Sequence, residues 1–360
     1  KAHGEQVREM CNALAQFANV TLLIPSRRTE GTPESFGLSP RVRVVRIPVI
    51  DTVRLGRIGF LFESLCFAIG AALYAFLRAR DAVVLTREYG CASALSLCGL
   101  SVAWESHRGE WNTAVRLALV CGASIVAISN GLRLFYLSKG VSPDRTLVAP
   151  DGVNLAHYQN LPERVEARRL LSLPLERHIA IYNGHLHTWK GVGTLARAAQ
   201  FLPENFLLLF MGGTDDDIEK FKKEYGNDQH IAIIGRKPDE ERPLYLRAAD
   251  IAVLPNTAKD LISLTYTSPL KLFGYMAAGT PIVASDLPSI REILSEKTAF
   301  FAQPDDPVSF AQKLTHVIEH PAEAQIRAKA AYSEVERYEW HKRSQHILDF
   351  LTATPGVKTQ

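Results

Sequence analysis

The chain has 360 residues, room for roughly two domains at about 150 residues each, every one large enough to bury a core. Lys and Arg number 41 against 38 Asp and Glu, giving a net charge of +3, with 47% hydrophobic and 22% charged residues. This is ordinary globular composition; it excludes a disordered tail or a polybasic arm, and so small a net charge does not support nucleic-acid binding.

The five cysteines, Cys11, Cys66, Cys91, Cys98 and Cys121, are odd in number and form no CxxC pair. That argues against a disulfide framework and a zinc ribbon and fits a reducing compartment best. In chain order, Val7, Met10, Cys11, Leu14 and Phe17 recur at steps of three and four and predict a first helix. Short apolar, β-branched runs then predict strands at Val20–Ile24, Val42–Val49, Ala82–Leu85, Val102–Trp104, Ile125–Ile128 and Leu147–Ala149. The chain begins at Lys1 with a helix rather than a strand, so an opening strand is expected to precede it. The apolar run Leu65–Leu77, 13 residues between Glu63 and Arg78, is too short to cross about 30 Å of hydrocarbon at about 1.5 Å per residue. It reads as a buried helix, with membrane apposition the less favoured alternative.

Pro162, Glu163, Glu166 and Pro174 interrupt the pattern between Tyr158 and Arg177, which reads as a linker with one helix. Strands resume at Ile179–Tyr182, Phe206–Met211, Ile231–Ile234, Ile251–Leu254 and Ile282–Ala284. Strand and helix alternating in two runs predict an α/β protein with two doubly wound parallel-sheet domains, 1–160 and 161–339. In such sheets ligands bind beyond the carboxyl ends of the strands, and with two domains a deep inter-domain cleft is the default site.

The stretch from Thr265 to Pro281 predicts a helix with both ends marked: Ser268 as cap, Pro269 at the first position, and Gly279 with Pro281 as the stop. The free amides of Leu270 and Lys271 would then face a phosphate, and Lys271 puts a cation where the helix dipole disfavours one. An ordinary capped helix is the alternative. Lys190 repeats the conflict after strand Ile179–Tyr182, and His185 is a candidate second phosphate contact, though a solvated Lys190 is an even alternative. His107 follows a predicted strand and is a candidate substrate contact, with a structural histidine as the plainer reading. Gly212 and Gly213 would admit a ligand to the backbone or make a tight turn. Asp215, Asp216 and Asp217 have the spacing of a metal-binding acidic pair, but they open a predicted helix and are read as complementing its dipole. Arg236 and Lys237 would touch a base or lie in solvent.

Together these residues resemble the retaining nucleotide-sugar glycosyltransferases of family four, the group 1 glycosyltransferases, over nearly the whole chain. The resemblance is carried by Ala2-His3-Gly4-Glu5-Gln6-Val7, Glu105-Ser106-His107, Pro150-Asp151-Gly152-Val153-Asn154 and Gly184 through Lys190-Gly191. It continues in Gly212-Gly213, in Ala249 through Asn256, in Ser268 through Asp286 and in Tyr338-Glu339-Trp340. It implies the GT-B fold: two facing Rossmann-like domains, the first on the acceptor side and completed by the helix 340–360, the second binding the nucleotide sugar. It further implies hexosyl transfer from a UDP-, GDP- or ADP-sugar to a glycan, lipid-linked or small-molecule acceptor with retained anomeric configuration, no metal and no other cofactor. Lys190 would hold the diphosphate, His185 would stand where members often carry Arg, and Leu270 and Lys271 would donate amides, stabilising the leaving group as charge develops on it. His107 would contact the sugar, Gly4 would lie in a glycine loop near the diphosphate or acceptor, Gly184 and Ser268 would border the donor, and Arg236 would face the base.

One departure stands out. The family carries two glutamates eight residues apart, the second on the ribose, and here those positions are Tyr266 and Gly274. The alternative is therefore a weakened or inactive sugar-nucleotide-binding scaffold; an epimerase of the same fold lacks recognisable active-site acids here. The expected location is the cytoplasm, with room for peripheral contact at the inner face of a membrane.

Overall fold

The computed structural model describes residues 2–26 and 36–353. The chain forms two compact units, Lys1–Pro150 together with Trp340–Gln360, and Asp151–Glu339. In the first unit the order is α1 (Ala2–Leu14), β1 (Val20–Ser26), β2 (Val42–Pro48), α2 (Gly56–Arg78), β3 (Val83–Thr86), α3 (Tyr89–Leu97), β4 (Ser101–Ser106), α4 (Thr113–Val120), β5 (Ser124–Ala127), α5 (Asn130–Ser138) and β6 (Thr146–Val148). The second unit runs α6 (Arg164–Leu170), β7 (His178–Asn183), α7 (Val192–Ala198), β8 (Phe206–Met211), α8 (Asp215–Tyr225), β9 (Ile231–Gly235), α9 (Arg242–Ala248) and β10 (Ile251–Leu254). It ends with α10 (Leu270–Ala277), β11 (Ile282–Ser285), α11 (Pro288–Arg291), β12 (Phe300–Ala302), α12 (Pro307–Glu319) and α13 (Pro321–Val335). Helix α14 (Trp340–Ala353) then returns to the first unit.

The second unit is one six-stranded parallel sheet in the order β12-β11-β10-β7-β8-β9. Every residue of β8, β10 and β11 is buried, as expected where helices cover both faces of a parallel sheet. Alternate residues of one strand enter opposite cores: Leu207, Leu209 and Met211 pack with α10, while Phe206, Leu208 and Phe210 pack with α7 and α12. Strand β12, which pairs with β11, was not among the expected strands.

The segment 158–177 is not a linker. Arg168 on α6 is buried, donating to Asp250 at 2.5 Å and to the carbonyl oxygens of Ala248, Leu175 and Arg177. The same Asp250 accepts the Ile179 amide at 2.8 Å, so α6 is tied to the start of β7. Polar residues there satisfy one another within the fold, which is why periodicity did not reveal it.

In the first unit β1 and β2 form a two-stranded sheet and β3 to β6 a four-stranded one, both parallel. A cavity of about 340 Å³, bordered by Val20–Leu23 and Val83–Thr86, lies along the edges of β1 and β3. The glycine loop expected at Gly4 is instead the first turn of α1, with Gly4 exposed and no other atom within 4 Å of where its Cβ would be.

Helix α2 reverses another expectation. Its buried face is Gly59, Glu63, Ala68, Ala71, Ala72 and Ala75, and Gly70 lies so close to β2 that a Cβ there would sit 2.5 Å from the Ile47 side chain. Small residues allow this approach and the large ones turn outward. Ile58 is 81% and Leu77 65% exposed, and Leu61, Leu65, Ile69 and Leu73 are exposed with them. The helical stretch Val53–Arg78, 26 residues with an 18-residue window of mean hydropathy 1.9, is also long enough to cross a bilayer, unlike the 13-residue run on which the buried reading rested.

A buried ion pair joins α14 to β4. Arg343 donates to Glu105 at 2.8 Å and to the carbonyl oxygens of Pro150 and Ala149, and both charged side chains are 3% exposed. Glu105 also bonds His107 at 2.7 Å and lies 3.7 Å from Arg87. Burial by itself would raise the Glu105 pKa, but Arg343, His107 and Arg87 outweigh it and hold the carboxyl well below the usual carboxylate range. A depressed carboxylate pKa stabilises the fold above the unfolded value of about 4.3, and that stabilisation is lost as the pH falls below it. Removing one partner of a buried pair strands the other, so Arg343→Met is expected to cost about 3–5 kcal/mol in urea unfolding at neutral pH. A loss below about 1 kcal/mol would show that α14 is held by packing alone.

Candidate active site

The carboxyl ends of β7, β8, β9 and β10 are neighbours in the sheet, and their loops are laced together by backbone contacts. The Gly184 amide donates to the Met211 carbonyl at 2.8 Å and the Gly212 amide to the Gly235 carbonyl at 2.7 Å. Two glycines are required by close approach. Gly184 has φ +147°, and a Cβ on it would stand 2.7 Å from Lys271 Nζ. Gly191 has φ +72°, and its Cβ would collide with the Pro255 carbonyl oxygen at 1.6 Å. Only glycine lets these two loops pack on their neighbours.

Into this corner come two lysines. Lys271, in the first turn of α10, lays its ammonium group over the fully buried Tyr182 ring, 3.8 Å from the centroid, with no hydrogen-bond partner. Burial pulls its pKa well below the ordinary lysine value, and the charge of Lys190 lowers it further. Lys190 ends the short turn Thr188–Lys190, with its ammonium 3.6 Å from the Trp189 ring centroid. Burial lowers its pKa to about 8, against a weaker opposing effect of Asp260. Among the described residues neither lysine forms an ion pair. Two desolvated ammonium groups within electrostatic reach of each other are unfavourable unless an anion joins them. The amides of Leu270 and Lys271, first in α10, have no intrahelical acceptor by helix geometry and add two donors. The chemistry of this corner fits a diphosphate.

Other expected residues fall differently. Ser268 does not cap α10: its hydroxyl accepts the Asp151 amide at 2.9 Å, and Pro269 occupies the cap position without a side-chain bond. Tertiary contact with the segment entering the unit outcompetes the local cap. Thr214 and Asp217 form a capping box at the start of α8, in keeping with the reading of the acidic run. His185 does not stand alone; its ring stacks on His187, centroids 5.1 Å apart, and its Nδ1 faces Asp217. Arg236 follows β9 and is exposed. His107 lies in the first unit, held by Glu105.

Gly274 is buried in α10, and a Cβ there would come 2.7 Å from the Tyr158 hydroxyl. The space that a glutamate side chain would enter is therefore held by a tyrosine from the turn Leu155–Tyr158. Tyr158 carried no sequence signal because the contact spans more than a hundred residues of chain. Two other residues were missed. Tyr275 accepts the Asn183 amide at 2.9 Å and braces the end of β7. Asn256, just past β10, is fully buried with neither side-chain amide atom bonded.

The two parallel-sheet α/β units give the chain the GT-B fold. Residues 177–320, within the second unit, match the family model described as Glycosyl transferases group 1. The chain is 22% identical over 258 residues to the D-inositol 3-phosphate glycosyltransferase of Corynebacterium urealyticum, covering 66% of this chain and 59% of that protein. It is 25% identical over 216 residues to the phosphatidyl-myo-inositol mannosyltransferase of Mycobacterium leprae, covering 59% of this chain and 55% of that protein. The chain thus spans about half the length of these relatives. The crystal structure of Anabaena HepE in complex with UDP shares the fold at TM-score 0.77 and 15% identity, covering 98% of this chain and 97% of that one.

Overpacking in a close-packed interior costs about 1–3 kcal/mol. Gly274→Glu is expected to lose that much stability in urea unfolding and to regain most of it with Tyr158→Ala, which vacates the space. Equal losses in the single and double variants would show that Tyr158 is not the obstacle.

Proposed function

We propose that this protein transfers a sugar from a nucleoside-diphosphate sugar to an acceptor hydroxyl, with retained anomeric configuration and with no metal needed for the transfer. The observation that carries the reading is the pair of desolvated lysines, Lys190 and Lys271, at the start of α10. Their charge, with the Leu270 and Lys271 amides, is placed to stabilise a diphosphate as it departs, since preorganised donors act most strongly where charge develops in a dry site. Gly184 leaves room beside Lys271, Arg236 is assigned to the base, and His107 keeps the sugar-contact role implied by the resemblance. HepE was crystallised with UDP, and separately with UDP-glucose, which supports a UDP-sugar over GDP- and ADP-sugars as the first donor to test. Retention rests on the family resemblance. The scaffold alternative rests on Gly274, whose ribose-binding carboxylate is replaced by space that Tyr158 fills.

The acceptor we infer is lipid-linked or polysaccharide, met at the cytoplasmic face of a membrane. Helix α2 supports this: its outward stripe of Ile58, Leu61, Leu65, Ile69 and Leu73 is flanked by exposed Arg54, Arg57, Arg78 and Arg80, and its one acidic residue, Glu63, is buried. An apolar stripe with arginines at both ends suits a helix lying in an anionic interface, and the packing of its small-residue face on the first unit argues against crossing.

Calorimetric titration of UDP, GDP and ADP is expected to show one nucleotide binding, with affinity at least about tenfold weaker in Lys190→Ala and in Lys271→Ala. Lys190 is charged below a pH of about 8, so affinity should be full there and fall as the pH rises through that value. Binding unaffected by either substitution would remove the lysines from the donor site; binding without turnover would favour the scaffold. Separately, the protein should co-sediment with phosphatidylglycerol vesicles and at least about tenfold less in Leu61→Glu/Leu65→Glu. Equal sedimentation of both would refute the membrane face.

A further inference from the structure

We propose that His185, His187 and Asp217 form a binding site for a divalent transition-metal ion, with Zn²⁺ the best match to the donor set. The two imidazoles come from the loop after β7 and the carboxylate from the first turn of α8. His185 Nδ1 lies 3.7 Å from one Asp217 oxygen and His187 Nδ1 3.7 Å from the other, and the three ligand atoms lie within 4.8 Å of one another. These separations are too long for hydrogen bonds, which cluster near about 2.9–3.0 Å. They approach the spacing of about 3.3 Å that ligands take around a tetrahedral ion bonded at about 2.0–2.1 Å. The three groups lie close together without hydrogen bonding to one another, and the solvent-shielded Nδ1 of His185 has no hydrogen-bond partner.

Both arms are held in place. His187 is in an extended conformation, where residues two apart share a face, and the two rings stack 5.1 Å apart at an interplanar angle of 6°. The His185 carbonyl accepts the Tyr182 hydroxyl at 2.7 Å, fixing the loop. Asp217 accepts the Thr214 amide at 3.1 Å within the capping box, fixing the carboxylate and leaving its other oxygen toward His187. The second stacked histidine pair of the protein is a useful contrast. His316 Nε2 bonds Glu323 at 3.1 Å and His320 Nδ1 bonds the His316 carbonyl at 2.9 Å, so those nitrogens are already engaged.

Two nitrogens and one carboxylate oxygen suit the borderline ions Zn²⁺, Co²⁺ and Ni²⁺, whereas Mg²⁺ and Ca²⁺ prefer all-oxygen shells. With three protein ligands, a fourth position remains for water or an anionic ligand. Coordination through Nδ1 leaves both Nε2 atoms free. The loop from His185 also carries Lys190, so an ion here would stiffen the turn that presents that lysine. The site stands on its own geometry, whether or not the donor reading holds.

The test uses the full chain without a polyhistidine tag, titrated with Zn²⁺ against a chromogenic chelator, with unfolding midpoints recorded in EDTA and in Zn²⁺. One ion per chain is expected, with affinity at least about tenfold weaker in His187→Ala and in Asp217→Asn. An excess of Mg²⁺ should not compete, and His316→Ala should bind as the unaltered chain does. The unfolding midpoint should rise with Zn²⁺ in the unaltered chain and in His316→Ala, and rise less or not at all in His187→Ala and Asp217→Asn. No Zn²⁺ binding, unchanged affinity in both His187→Ala and Asp217→Asn, or loss confined to His316→Ala would each overturn the assignment.

Discussion

Two poorly solvated ammonium groups, neither held in an ion pair among the described residues, set the terms for the second unit. Buried charge is among the costliest states a side chain adopts, and burial lowers both lysine pKa values, with only the weaker effect of Asp260 on Lys190 opposing it. The Tyr182 and Trp189 rings offer their faces to the cations, a partial compensation that leaves the ammonium hydrogens available to an anion. Stability withheld at this corner would be regained on binding an anion.

The surrounding architecture follows from that constraint. Lys271 can reach Tyr182 only because Gly184 has no side chain, and Lys190 is presented by a turn that packs on β10 only because Gly191 has none. Tyr275 ties α10 to the end of β7, so the helix that bears one lysine is joined directly to the strand that precedes the other. The fully buried strands beneath provide a floor whose position is fixed by two separate cores. Precise placement of donors on rigid elements is what separates a preorganised site from a merely basic surface.

The first unit is organised around different physics. Glu105 is held ionised in the interior by three cationic or hydrogen-bonding neighbours, which fastens α14 to β4 and orients His107. Helix α2 sacrifices burial of its largest side chains so that a stripe of glycine and alanine can pack closely. A helix with Ile, Leu and Phe on its water-facing side is costly for a protein surrounded by water and natural for one that rests against hydrocarbon.

The alternation of strands and helices, and hence the doubly wound parallel architecture, was legible along the chain because buried parallel strands are written as continuous apolar runs. Lys190, Lys271 and the glycines near them were legible as well, since a cation at a helix start and a glycine after a strand are local oddities. Contacts between distant segments left no such trace. Nothing local to Tyr158 shows that it fills the space beside Gly274, nor that Ser268 bonds Asp151 rather than its own helix, nor that Arg168 draws α6 into the second unit. The outward turn of α2 was hidden for a related reason: periodicity marks which residues share a face, while the side that is buried is chosen by how closely a neighbour can approach. The meeting of His185, His187 and Asp217 likewise arises from two strand ends placed side by side by sheet order, a relation that pairwise hydrogen bonding across the sheet creates and linear spacing does not encode.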